Sequence, residues 1–235
     1  MTLRVMDLFS GIGGFSYGFK KACGFKTVAY CEIEPYCQAV LLARMRDGWL
    51  DTAPIYSDIT KLDGRPWRGR VDVITGGFPC QDISNAGKRA GIDGERSGLW
   101  REIERVICEV RPRYIVVENV AALLDRGMGR VLGDLAAYGF DAEWSVISAC
   151  SMGAPHLRER VFVVAHPPLL GGRRERGWIG RSQTGDQERN LHQWGNEPPC
   201  PRVAHGLPNR VVRLAALGNS IVPQIAEWIG RRLIR

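Results

Sequence analysis

The residue best suited to covalent chemistry is Cys80, set directly behind a proline on a loop bordered by glycines. Residues 76–84 read GGFPCQDIS and follow the β-branched run Val71–Thr75, which reads as a buried strand. Most cysteines in soluble proteins are small core hydrophobes. A thiol on a Pro-rigidified loop at a strand end can instead face a cleft, as a nucleophile or as a redox sensor. With a pKa of about 8.5 it is mostly protonated at neutral pH, so attack goes well when the electrophile is activated at the same moment. Glu118, in Glu118-Asn-Val120, follows the apolar run Tyr114–Val117 and would stand at the same C-terminal sheet edge. Partial burial would raise its pKa and make it a proton donor. Taken alone, it reads more simply as a helix-start carboxylate satisfying backbone amides.

Arg158 and Arg160 precede the apolar run Val161–Ala165. On an extended segment their i, i+2 spacing projects both to one side. There they could hold an anion or a carbonyl oxygen, or simply charge an exposed edge. His156 lies just before them; a lone histidine is more often a surface or packing residue than a catalyst.

A second constellation suits a nucleoside. Asp7–Gly14 (DLFSGIGG) lies between a strand and a helix, where glycines let the backbone approach a ligand. A dinucleotide fingerprint would carry glycine at position 16, and Ser16 stands there, so the pyrophosphate signal is weak. Glu32, at the end of the second strand, is placed to accept from a ribose hydroxyl. Asp58, at the end of the third, could accept from an exocyclic amine. The set points to a nucleoside-bearing cofactor without a pyrophosphate; the alternative for the glycines alone is a tight turn needed for packing. Gly218–Pro223 (GNSIVP) reads by itself as a routine approach to the last helix, with Asn219 able to bond backbone or ligand.

These residues need a frame. The first 165 residues alternate strands (Leu3–Leu8, Thr27–Cys31, Ile55–Ser57, Val71–Thr75, Tyr114–Val117, Phe140–Ser148, Val161–Ala165) with helical patterns. Helices are expected from Gly14 to about Cys23, from Pro35, over Gly98–Val110, over Gly127–Tyr138 and over Ile221–Leu233. Leu99, Ile103, Val106, Ile107 and Val110 share one face of the third. Such alternation implies an α/β fold with a mostly parallel sheet covered on both faces. From His166 to about Arg213 the pattern stops, in a segment rich in Gly, Pro, Arg and Gln.

A chain of 235 residues can bury a full core without disulfides or metal. Its seven irregularly spaced cysteines form no CxxC pair and no zinc tetrad, which predicts reduced thiols, a cytoplasmic compartment and no metal site. No apolar run reaches membrane-spanning length and no signal-peptide pattern opens the sequence. The net charge is +7, and arginine supplies 27 of 32 basic residues, either from codon bias or for phosphate and guanine recognition. Eight arginines against four acids in 166–213 favour a polyanionic partner.

Together DLFSGIGG (7–14), CEIE (31–34), SDI (57–59), GGFPCQDIS (76–84), ENV (118–120), RERVFVVA (158–165) and GNSIVP (218–223) resemble the DNA cytosine-5 methyltransferase family in content and order. The resemblance covers about 1–165 and 203–235. It implies a Rossmann-like S-adenosylmethionine-dependent methyltransferase sheet in 1–165, a short target-recognition segment in 166–202, and a C-terminal segment, 203–235, returning to the catalytic domain. It implies Cys80 as nucleophile on C6 of a flipped-out cytosine, Glu118 as the acid at N3, and Arg158 and Arg160 as anchors of base and loop. Phe9, Gly11, Gly13, Glu32, Asp58, Ile59, Pro79, Leu99 and Asn219 would line the S-adenosylmethionine site. Ser84 would touch a DNA phosphate, and Arg173, Arg174, Arg176 and Arg181 would contact bases or, more commonly, phosphates. The implied partner is double-stranded DNA, the expected state a monomer, and a cognate restriction endonuclease a candidate companion. His156 departs from the glutamine the family commonly carries there. An RNA-directed branch bears a CFT tripeptide absent from this chain. A non-catalytic binder and a Rossmann oxidoreductase are disfavoured by the intact reactive residues and by Ser16.

Overall fold

Seven strands and the helices between them assemble in a computed structural model that describes residues 2–78, 98–168 and 210–234. In chain order the elements are β1 (Leu3–Leu8), α1 (Gly14–Ala22), β2 (Phe25–Cys31), α2 (Pro35–Arg46), β3 (Ile55–Tyr56), β4 (Val73–Gly77), α3 (Leu99–Val110) and β5 (Tyr114–Val120). There follow α4 (Leu123–Arg126), α5 (Met128–Ala137), β6 (Asp141–Ser148), β7 (Glu159–His166), α6 (Arg210–Asn219) and α7 (Pro223–Leu233). The sheet order is β3-β2-β1-β4-β5-β7-β6.

The first five strands of that order pair in parallel, whereas β7 runs antiparallel to both β5 and β6. The mostly parallel sheet expected from the sequence is thus mixed at one end. The reason is local. Between β6 and β7 the chain makes only a 3-10 turn (Ala149–Met152) and a short loop, so it doubles back instead of crossing over.

Both faces are covered, as the strand composition requires. Val5, Val73, Val116 and Val164 face one side, against Phe15, Phe19, Ile225 and Ile229 of α1 and α7. Met6, Ile74, Ile115 and Val117 face the other, against Trp100, Ile103, Val106 and Val131 of α3 and α5. This alternation is the period-2 signature of a strand buried on both faces. The face of α3 matches the expected one except at its start, where Trp100 is buried and Leu99 only partly so.

Small residues let α1 and α7 cross closely. A Cβ on Gly18 would stand 2.3 Å from the Pro223 carbonyl oxygen, and one on Gly230 would stand 2.9 Å from the Ala22 Cβ. Pro223 occupies the first turn of α7, where no intrahelical N–H is needed. The helix α6 falls partly in the stretch expected to be irregular. Among its described side chains only Ala216 is buried, while Val212 and Leu217 face solvent. No helix among the described residues is long and apolar enough to cross a membrane.

Candidate active site

The C-terminal ends of the parallel strands carry Phe9, Gly11, Gly13, Glu32, Asp58, Ile59 and Glu118. After β1 the chain turns through Phe9, Gly11 and Gly13, all at positive φ (52°, 54° and 87°). Among the described residues a Cβ on Gly11 would meet nothing within 4 Å, whereas one on Gly13 would press on Leu50 at 2.7 Å. Gly11 therefore borders open space, and Gly13 is confined by packing.

Glu32 follows β2 and is buried. Its Oε2 accepts the Gly11 N–H at 2.6 Å and its Oε1 the Glu34 N–H at 2.8 Å. The carboxylate is therefore pinned to the glycine loop, while its remaining lone pairs can still accept hydroxyl donors. Past β3, Asp58 Oδ1 accepts from the Thr60 N–H and hydroxyl at 2.9 and 2.7 Å. Those bonds, with Lys61 nearby, hold its carboxyl below the usual range. Ile59 is buried beside it, Leu99 opens α3 half-buried, and Asn219 is exposed at the end of α6.

Glu118 lies within β5, in register with Gly77 of β4 and Phe162 of β7. It is a strand residue, not a residue after the strand and not a helix-start carboxylate. Its Oε2 is 3.0 Å from where a Cβ on Gly77 would stand, so the glycine makes room for the carboxyl. Arg160 Nε lies 3.1 Å from Glu118 Oε1. Burial pushes the Glu118 pKa up to about 7, against the pull of Arg160 and Arg158. The same β5 segment fastens the stem of the Cys80 loop: the Asn119 Nδ2 group donates to the Phe78 carbonyl at 3.2 Å, and the Phe78 ring packs on Trp100.

The two arginines do not share one orientation. Arg158 sits at φ 30°, just before β7, so the extended i, i+2 geometry fails there. Its Nη2 donates to the Ser220 carbonyl at 2.6 Å and ties β7 to the segment before α7. Arg160 reaches Glu118 within salt-bridge distance. His156 is exposed on the loop ahead of them. Pro79, Cys80, Ser84, Arg173, Arg174, Arg176 and Arg181 lie outside the described residues, as does nearly all of 166–202.

Sequence reasoning passed over three residues beneath this edge. Asp7 is wholly buried in β1 and accepts from the Ser16 hydroxyl at 2.6 Å and the Thr75 hydroxyl at 2.7 Å. The signal was a carboxylate in an otherwise buried strand, and Ser16 is the residue that departs from a third glycine. Separately, a cavity of about 320 Å³ beside the start of α1 is lined by Ile12, Gly13, Tyr17, Arg44, Trp49 and Ser220, with others. Its lining shares Gly13 with the glycine loop but does not include Glu32, Asp58 or Glu118. Among the described residues no cluster of His, Cys, Asp or Glu could hold a metal ion.

A family model described as C-5 cytosine-specific DNA methylase matches residues 3–171. The chain is 35% identical to the type II methyltransferase M.Eco47II of Escherichia coli over 68% of its own length and 39% of that protein's. It is 30% identical to M.CviJI of Paramecium bursaria Chlorella virus IL3A over 95% of its length and 57% of that protein's. It spans about half the length of the curated relatives it matches. Among solved structures, Dnmt2 methyltransferase of S. pombe superposes with a TM-score of 0.58 at 25% identity, covering 73% of this chain and 53% of that one. A Spodoptera frugiperda DNMT2 variant gives 0.61 at 20% identity over 75% and 53%, a likeness of fold. With a sheet of this order, and with the family model spanning β1 to the end of β7, the chain belongs to the C-5 cytosine-specific DNA methylase family.

Proposed function

We propose that this chain methylates C5 of a cytosine in double-stranded DNA, with S-adenosylmethionine as donor. The observation that carries the reading is Glu118, a buried carboxyl with a pKa near 7, beside the strand whose continuation holds Cys80. At neutral pH an appreciable fraction of such a group is protonated and able to donate.

The residue types fit the chemistry. C5 of cytosine is a poor nucleophile. The Cys80 sulfur adds to C6 while the Glu118 proton passes to N3, which makes C5 enamine-like. Arg160 then faces the carboxylate left on Glu118 and stabilises it. S-adenosylmethionine supplies an electrophilic methyl group on a sulfonium. Once C5 is methylated, loss of its proton and departure of the Cys80 thiolate restore the ring. A base inside the duplex cannot meet these groups, so the target is flipped out.

Support for the donor comes from the open space at Gly11 and from Glu32, held rigid with acceptor capacity to spare for ribose hydroxyls. Phe9, Gly13, Asp58, Ile59, Leu99 and Asn219, with Pro79, are proposed to complete that site. Ser84 and the arginines at 173, 174, 176 and 181 are proposed to contact DNA, within a recognition segment 166–202 set between catalytic parts 1–165 and 203–235. The relatives' type II names support a cognate restriction endonuclease as companion. A cytoplasmic monomer is the working form.

The decisive test has two parts. Bisulfite sequencing of DNA from cells expressing the chain should show protected cytosines in one sequence context. DNA carrying 5-fluorocytosine in that context should trap a covalent adduct, because fluorine cannot leave as the proton does. Donor binding without methylation or adduct on any DNA would reduce the chain to a binder.

A further inference from the structure

We propose that Asp7 is a positioning residue which locks the helix after the glycine loop to the strand leading to Cys80. One buried carboxylate would thereby set the geometry between methyl donor and nucleophile. This role rests on the function proposed above.

Four segments meet at this group. Asp7 stands in β1, in register with Thr75 of β4 and Tyr30 of β2. Its Oδ1 accepts from Thr75 Oγ1 and its Oδ2 from Ser16 Oγ in the first turn of α1. The residue at the N-cap of α1, Gly13, has no side chain to offer, so the bond from Ser16 to Asp7 fastens the helix start to the sheet through side chains. Its main-chain oxygen accepts the Ser10 hydroxyl at 2.5 Å, and Ser10 Oγ in turn accepts the Cys31 N–H at 3.2 Å. The glycine loop is thus tied down from both ends. Thr75 lies two residues ahead of Gly77, the neighbour of Glu118.

An apolar residue would suit this position better if packing were the only demand, because the group is entirely enclosed. Burial, the largest influence, raises its pKa to about 6, and the charge of Glu32 adds to the cost. A carboxylate kept there supplies direction: its two oxygens fix two hydroxyls on different elements, which no aliphatic side chain does.

The test separates positioning from bulk stability. Ser16→Ala and Thr75→Val each remove one hydroxyl and keep most of the volume; Asp7→Asn changes the acceptor itself. Donor affinity is read by calorimetry and methyl transfer in single turnovers, at a temperature where thermal melts show each variant folded. Loss of one bond to a carboxylate is expected to weaken donor binding about tenfold in Ser16→Ala with transfer at saturation little changed. The converse, about tenfold slower transfer with donor affinity kept, is expected in Thr75→Val. Asp7→Asn should impair both. If it does not fold, the two hydroxyl variants carry the test. An active parent whose hydroxyl variants stay within twofold in both readouts overturns the role of Asp7. A parent that methylates no DNA overturns the proposed function instead.

Discussion

Glu32 and Glu118 are both buried carboxylates at the same sheet edge, yet their surroundings differ in kind. Glu32 is fastened by two backbone N–H groups, Gly11 of the glycine loop and Glu34 just after it in the chain. Glu118 meets a guanidinium within a strand, and enclosure raises its pKa to about 7. The first environment suits a fixed acceptor, and the second a group that exchanges its proton near neutral pH. One half of the edge is built to hold and the other to react.

That division can be broken by substitution. Cys80→Ala should bring methyl transfer below detection while donor affinity, measured by calorimetry, stays within about twofold; normal turnover would sink the covalent mechanism. Glu118→Gln should slow transfer by roughly 10²–10⁴ and spare donor binding, whereas Glu32→Gln should do the reverse. If both glutamates affect the same constant, the contrast between them is wrong.

The pH dependence sharpens it. The proton-donating form of Glu118 is lost as pH rises through about 7, so kcat/KM should fall on the alkaline side. The sign for stability agrees. A carboxyl whose folded pKa lies above its unfolded value contributes stability at low pH that disappears as pH rises from about 4.5 to about 7. Thermal melts of Glu118→Gln should therefore depend less on pH across that window than those of the parent. A smaller effect is expected from Gly77→Ala, whose methyl would stand 3.0 Å from Glu118 Oε2. Transfer should slow about threefold to tenfold, the scale of a small overpacking strain of about 1 kcal/mol, with donor affinity unchanged.

Much of this arrangement was legible in the residues. Strands rich in β-branched residues announced the sheet, and the glycine loop and Glu32 fell at strand ends, where ligands gather in α/β folds. What escaped depended on contacts between distant segments. The doubling back of β7 turns on the short connection Ala149–Arg158. Arg158 looked extended because its neighbours are strand formers, but its bond to Ser220 accompanies a left-handed backbone. Asp7 was read only as the first letter of a glycine motif, since nothing local reveals that Thr75 stands opposite it.

The close crossing of α1 and α7 bears on how the protein is made. Phe15 and Phe19 are covered by Ile225, Ala226 and Ile229, partners roughly two hundred residues later, a separation that makes closure slow. A ribosome will have released nearly all of the sheet while this apolar face of α1 still lacks its cover. During that interval the nascent chain presents an aromatic surface that chaperones or other copies can seize. Forms truncated before α7 should accordingly collect in inclusion bodies, whereas the same helix supplied in trans should rescue solubility.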